Sequence, residues 1–357
     1  MVARSRELAI PPPEVLFNRY FQERFRPPVR PEDPDPRIYR GKQDLDKVAD
    51  LVLRSLLLRI QESFNAALAS EKQNVAGHVN HPPFYVDYID SNVPNALAFR
   101  YEAEDHYSFI GITIPLINLL WDLCVRLSRS EAIQILIRLS LKIEEYDALQ
   151  IVLFLAMSSF IVSHEYTHHV HGHLSGGGAD AALFNEILDD EDPGSLEDQA
   201  VEVDADGYAA YHVLANMIDG TARSAVELLK IGAEPANFQD EVLLSCFVIA
   251  VGGYLFTRPA RALDSVNVYR FSHPPQAARM NCLMQEAMAW CRQNRPGLET
   301  WMTLNRFQTL MNASAAAVLG AGGSAIWDAQ GAFLGSEHGV EYFKQLDKRL
   351  KALTASL

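Results

Sequence analysis

From Ile151 to Ser163 the chain runs for 13 residues without a charge, and the next five read His164-Glu165-Tyr166-Thr167-His168. A helix that is apolar on every side is stable only when buried, so this run must form a central element on which the rest of the chain packs. The preceding residues, Lys142 to Gln150, are good helix formers and can supply its first turns. The pattern predicts one helix over about 144–174, stopped by Gly176-Gly177-Gly178. Thirteen uncharged residues fall short of the roughly 20 needed to cross a bilayer, so a core helix is expected rather than a span.

His164 and His168 are four residues apart and therefore share one helical face. Two imidazole nitrogens on one face can reach one Zn²⁺, with Glu165 one residue round beside them. Zinc lowers the pKa of a bound water, and a neighbouring carboxylate can take the proton as that water attacks a carbonyl. A catalytic zinc needs a third protein ligand. A histidine six residues after the second one, with a glycine between, does not supply it, because those positions hold Leu174 and His171. The segment Gln199 to Ala210 does: Glu202 and Asp206 are four apart on a stretch rich in small and apolar residues. Glu202 can ligate the metal, and Asp206 can accept the spare N–H of a ligating histidine and so fix its tautomer. Asp198 and Asp206 are the next candidates for the ligand.

Glu-x-Asp-Ala-Asp following His-Glu-x-x-His resembles the gluzincin peptidases, and within them the group containing HtpX, the CAAX prenyl endopeptidase and the minigluzincins. Three further segments are similar to that group. They are Asn95-Ala-Leu-Ala98 followed by Tyr107 to Ile114, His173 at the end of the zinc helix, and Ser272-His-Pro-Pro-Gln-Ala-Ala-Arg279. The resemblance runs from about Asn95 to Arg279. It implies His164, His168 and Glu202 as ligands of one Zn²⁺, Glu165 as general base, and Asp206 and His173 as residues that support the ligands. It also implies His273 beside the site, stabilising an oxyanion or holding substrate, and Arg279 either in a supporting ion pair or on the substrate. Tyr208, Tyr211 and Tyr254 are further possible oxyanion donors. The chain departs from the membrane-bound members in its poor candidates for transmembrane helices, 109–127 and 242–256, and in a long insert between His173 and Glu202. That insert carries Asp189-Asp-Glu-Asp192, read as a solvated loop. A looser resemblance, in layout and zinc motif only, is to the Lit-type phage-exclusion peptidases.

The remaining sequence sets bounds. A net charge of −14 lacks the basic footprint of a nucleic-acid binder and disfavours an anionic membrane surface. No apolar signal segment opens the chain, and Cys124, Cys246, Cys282 and Cys291 are scattered without a Cys-x-x-Cys pair. Reduced thiols and a cytoplasmic location are expected. Residues 1–42 hold eight of the 18 prolines around the aromatic stretch Val15 to Phe25. They read as an arm lying over a catalytic domain of 43–357, with the sheet and zinc helices in about 43–210 and a helical part in about 211–357. An inhibitory arm is the sharper alternative. Residues 44–68 read as a helix, 78–94 as loop with surface His78 and His81, and 95–114 as two strands. The later of these, if it is the sheet edge, could pair with an extended peptide. His169 and His171 are expected at the surface or behind the ligands, and His212 packed or exposed.

The expected fold is α+β, with a small mixed sheet, a central buried zinc helix and a mainly α-helical C-terminal half. The expected function is zinc-dependent endopeptidase of intracellular protein or peptide substrates. The alternatives are a Lit-like stress or phage-response protease with one target, or a zinc-binding regulatory protein that cuts little.

Overall fold

The computed structural model describes residues 10–25, 37–70, 83–101, 107–139, 142, 145–175, 194–220, 224–258, 260–320 and 324–355. The acidic run 189–192, the glycines 176–178, and His78 and His81 lie outside them. The chain is α+β and divides into two compact units, 1–117 with 174–186, and 118–173 with 187–357.

The first unit is a four-stranded mixed sheet with helices. Its strands are β1 (Tyr39–Lys42), β2 (Phe84–Ser91), β3 (Ala96–Arg100) and β4 (Ser108–Thr113), in the order β1-β2-β4-β3. β2 pairs with β4 in parallel, and the other two pairings are antiparallel. β2 lies inside the stretch read as loop. Its Asp87 looks like a surface residue in sequence, yet it is buried, ion-paired to Lys42 Nζ at 2.7 Å and accepting from Tyr85 Oη at 2.6 Å. β4 is paired on both sides, so the condition for its pairing with a peptide as an edge strand is not met; among the described residues the edges are β1 and β3. Asn95 pins this end of the sheet. Its backbone N–H donates to Thr113 Oγ1 at 2.7 Å and its side-chain amide to Tyr39 Oη at 2.7 Å.

Helix α1 (Pro13–Arg24) starts with a proline in its first turn, where the missing N–H costs nothing. Its Leu16, Phe17, Tyr20 and Phe21 are buried against Tyr39, Phe99 and Phe109. Tyr20 stacks on Phe99 with ring centroids 4.4 Å apart. The aromatic part of the arm is thus core of this unit. Helix α2 (Leu51–Ser70) is capped by Asp50, whose Oδ1 accepts from the N–H groups of Val52 and Leu53. Leu51 and Val52 therefore occupy the outward first turn and are exposed, and the buried face is Leu53, Leu57, Ile60 and Leu68.

Helix α3 (Ile114–Ser128) follows β4 directly and continues into the second unit, in which the regular elements among the described residues are all helices. Its elements are α4 (Glu131–Leu136), α5 (Tyr146–Val170), α6 (Leu196–Leu214), α7 (Ser224–Leu228), α8 (Ala236–Phe256), α9 (Gln276–Asn294), α10 (Pro296–Trp301), α11 (Leu304–Leu319), α12 (Ser324–Leu334) and α13 (Glu337–Thr354). α5 packs against α6 and α8, α6 also against α9 and α13, and α8 against α11. α5 ends four residues earlier than 144–174 predicts, because Gly172 adopts φ +73° just past the helix end and stops it before the triple glycine.

α5 and α8 are each long and apolar enough to cross a membrane, and most of the apolar window of each is buried inside the fold. Core helices pass the same length test. All four cysteines are free thiols, three of them fully buried.

Candidate metal centre

Three side chains converge where the last turns of α5 meet α6. His164 and His168 project from one face of α5, as their spacing requires, and Glu202 faces them from α6. The two Nε2 atoms are 3.1 Å apart. Glu202 Oε2 lies 3.3 Å from His164 Nε2, and Oε1 lies 3.6 Å from His168 Nε2. Donor atoms held about 2.0–2.1 Å from one tetrahedral ion stand about 3.3 Å from each other, so these separations suit a shared ion. All three side chains are at most 3% exposed.

The atoms behind the histidines set which nitrogens carry protons. Asp206 Oδ1 is 3.0 Å from His164 Nδ1. Arg279 holds the same carboxylate with two hydrogen bonds of 2.7 Å, from Nε to Oδ2 and from Nη2 to Oδ1. Burial alone would raise the Asp206 pKa, but the guanidinium and His164 outweigh it and hold the group below the usual carboxylate range. An ionised carboxylate only accepts, so His164 Nδ1 donates and its Nε2 presents a lone pair to the triad. His168 Nδ1 is 3.1 Å from His173 Nδ1, and His173 Nε2 is 3.2 Å from Asp204 Oδ2. When the proton lies on His168 Nδ1, His168 Nε2 also presents a lone pair. Two lone pairs facing each other at 3.1 Å repel unless a cation lies between them. The donor set therefore fits a metal ion.

Glu202 is buried, which by itself raises its pKa; His273, His164 and His168 reverse this and hold it well below the usual range. His273 Nε2 stands 3.3 Å from Glu202 Oε2, and its Nδ1 is 3.1 Å from Ser272 Oγ. Glu165 is buried next to His164 on α5. Arg279 is 1% exposed and ion-paired to Asp206, the first of the two arrangements open to it. Asp198 is engaged in a capping box with Ser195 that starts α6. Among the tyrosines, Tyr208 packs on His171 and His212, Tyr211 is 43% exposed, and Tyr254 Oη accepts from Arg258. His212 sits among Tyr166 and Tyr208 as a packed residue. His169, expected at the surface or behind the ligands, is fully buried.

Two features were not predicted. The loop that carries His273 is tied to α6: buried Gln199 donates from Nε2 to the carbonyls of Val268 and Phe271 at 3.0 Å each, and Tyr342 Oη donates to Gln199 Oε1 at 2.7 Å. Gly194 leaves room for the same loop, since a Cβ there would lie 2.2 Å from the Ser272 backbone nitrogen. The second feature is a group formed by His171, His173 and Asp204, whose ligand atoms lie within 4.8 Å of one another. The repeats His-Gly-His and Glu-x-Asp-x-Asp were visible, but not that α5 and α6 cross so as to join them.

The chain has no significant match to any protein-family model, curated protein or solved structure. The gluzincin resemblance therefore rests on the buried His164, His168 and Glu202 group and on the motifs themselves.

Proposed function

We propose that this chain is a zinc-dependent endopeptidase acting on protein or peptide substrates inside the cell. One observation supports it most: two imidazole nitrogens and a carboxylate are buried and mutually 3.1–3.6 Å apart, and Glu165, also buried, follows His164 on the same helix. Two nitrogens and one carboxylate oxygen are a donor set that zinc accepts while keeping a position open for water. Bound there, zinc would supply Lewis acidity and a water acidic enough to deprotonate near neutral pH.

The protein groups would then divide the work. Glu165 would take the proton from the attacking water and pass it to the departing amine. His273, beside Glu202, would donate to the oxygen on which negative charge develops. Asp206 and Arg279 keep His164 in the ligating tautomer, and His173 with Asp204 does the same for His168. No nucleic acid partner and no membrane are part of this reading.

A zinc-binding regulatory protein is the second reading, favoured by the near-complete burial of the triad. One pair of measurements decides between them. Purified wild type and Glu165→Gln should each carry one zinc, and new protein N-termini should arise in cells expressing the wild type alone, with turnover reduced by about 10²–10⁴-fold in the variant. Identical N-termini in both would favour the regulatory reading; a wild-type chain that binds no zinc would end both.

A further inference from the structure

Beside the triad, the chain builds a second set of ligand atoms that the reading above uses only as support. Helix α5 ends at Val170 with His171 as its C-cap, and the backbone turns at Gly172 with φ +73°, a conformation that favours glycine. That turn brings His171 and His173 to the same side, with their rings 5.8 Å apart and nearly perpendicular. Both reach Asp204 Oδ2: His173 Nε2 at 3.2 Å, and His171 Nδ1 in a hydrogen bond. His173 and Asp204 are at most 9% exposed at their side chains, and His171 is 18% exposed, so the group is largely enclosed yet open on one side. Its place at the C-terminal end of α5 favours positive charge. Two imidazoles and one carboxylate suit a divalent transition-metal ion better than calcium or magnesium.

We propose that His171, His173 and Asp204 form a second binding site for a divalent transition-metal ion, and that filling either site weakens the other. The link is the hydrogen bond between His168 Nδ1 and His173 Nδ1, 3.1 Å long, which holds a single proton. With that proton on His168, the His168 Nε2 lone pair faces the first site, while His173 carries its own proton on Nε2, pointing at Asp204. With the proton on His173 Nδ1, the pattern reverses. His173 Nε2 is then free to ligate at the second site, and His168 carries a proton on Nε2 and cannot ligate at the first. Each neutral imidazole holds one proton in both arrangements, so the exchange needs no net gain or loss of protons. Each site thus gains its full ligand set in the tautomer that denies the other site one of its ligands. A second ion would therefore bind against the first, more weakly than either site binds alone. The second site stands on its own residues; the competition rests on reading His164, His168 and Glu202 as a metal site.

The test is zinc binding by the full, metal-free chain, followed by metal counting and competition with a chromophoric chelator. Glu202→Ala should keep one zinc, and adding His171→Ala should abolish it. A second zinc should bind the wild type more weakly than zinc binds Glu202→Ala, by on the order of 10–100-fold, the range by which groups behind a ligand alter metal affinity. Asp204→Asn serves in place of His171→Ala if circular dichroism shows that variant misfolded. A Glu202→Ala chain that binds no zinc overturns the second site. A wild type that binds two zinc ions, neither affected by loss of the other site, overturns the competition. Loss of all zinc in His171→Ala, with wild-type binding in Glu202→Ala, would retain the second site and remove the first.

Discussion

Arg279 and Asp206 form a fully buried ion pair whose carboxylate also holds His164, so three residues share one set of protons. Removing one member strands the other's charge in a low-dielectric interior, which costs about 3–5 kcal/mol. Arg279→Met should therefore lower the unfolding free energy of the metal-free chain by that amount in urea titrations. Asp206→Asn strands the buried guanidinium in turn and should cost a similar amount, and it should in addition bind zinc about 10–100-fold more weakly in chelator competition. Equal zinc affinity in Asp206→Asn and wild type would show that His164 does not need its carboxylate. At this scale much of the candidate site could be read in advance. His164, His168, Glu202 and Asp206 follow from the four-residue spacing of a helix, which fixes faces without any knowledge of the fold. The contacts of His171 with Asp204 and of Gln199 with the His273 loop could not, because they depend on how α5, α6 and the 267–273 segment cross.

Elements were legible where the chain is strongly periodic. The run before His164 gave α5, and the Leu and Ile spacing gave α2, although its first turn faces outward. β2 was missed because Asp87 and Asp90 interrupt its alternation and Pro82-Pro83 precede it; the ion pair that makes Asp87 tolerable is supplied by Lys42 on another strand. The same strand order decides which edges a peptide could extend, namely β1 and β3. The Pro-rich segment reads as an arm in the sequence, whereas its described residues are core helix and sheet strand. Phe17 is fully buried among Phe21, Phe99 and Phe109. Phe17→Ala should destabilise the first unit by about 3–5 kcal/mol, as for other large-to-small core substitutions; a loss below 1 kcal/mol, read by thermal unfolding, would mean that α1 only rests on the sheet. Deleting residues 1–42 would remove α1 and β1 together, so any release of activity on deletion must be judged against loss of fold.

For the whole molecule, the absence of a disulfide framework follows from four free thiols, most of them deep in apolar surroundings. Burial pushes Cys246, Cys282 and Cys291 up to about 12, and Cys124 further above its ordinary value. Thiolate populations should then be roughly a thousandfold below those of ordinary cysteines. The native chain should resist iodoacetamide at mildly alkaline pH and take up four equivalents in urea; rapid labelling of the folded chain at any site would contradict that burial. The last turns of α5 carry His164 and His168, and His171 and His173 follow just past its end, where a helix runs out of its own hydrogen bonds; α6 meets them there with Glu202, Asp204 and Asp206. A bound ion would thus act as a clasp, adding a link through Glu202 to the hydrogen bonds that His164 and His171 already make with α6. Chelation should therefore speed amide exchange in residues 164–175 and 200–208 while leaving α8 protected, so that the metal would govern how long this corner of the molecule stays closed.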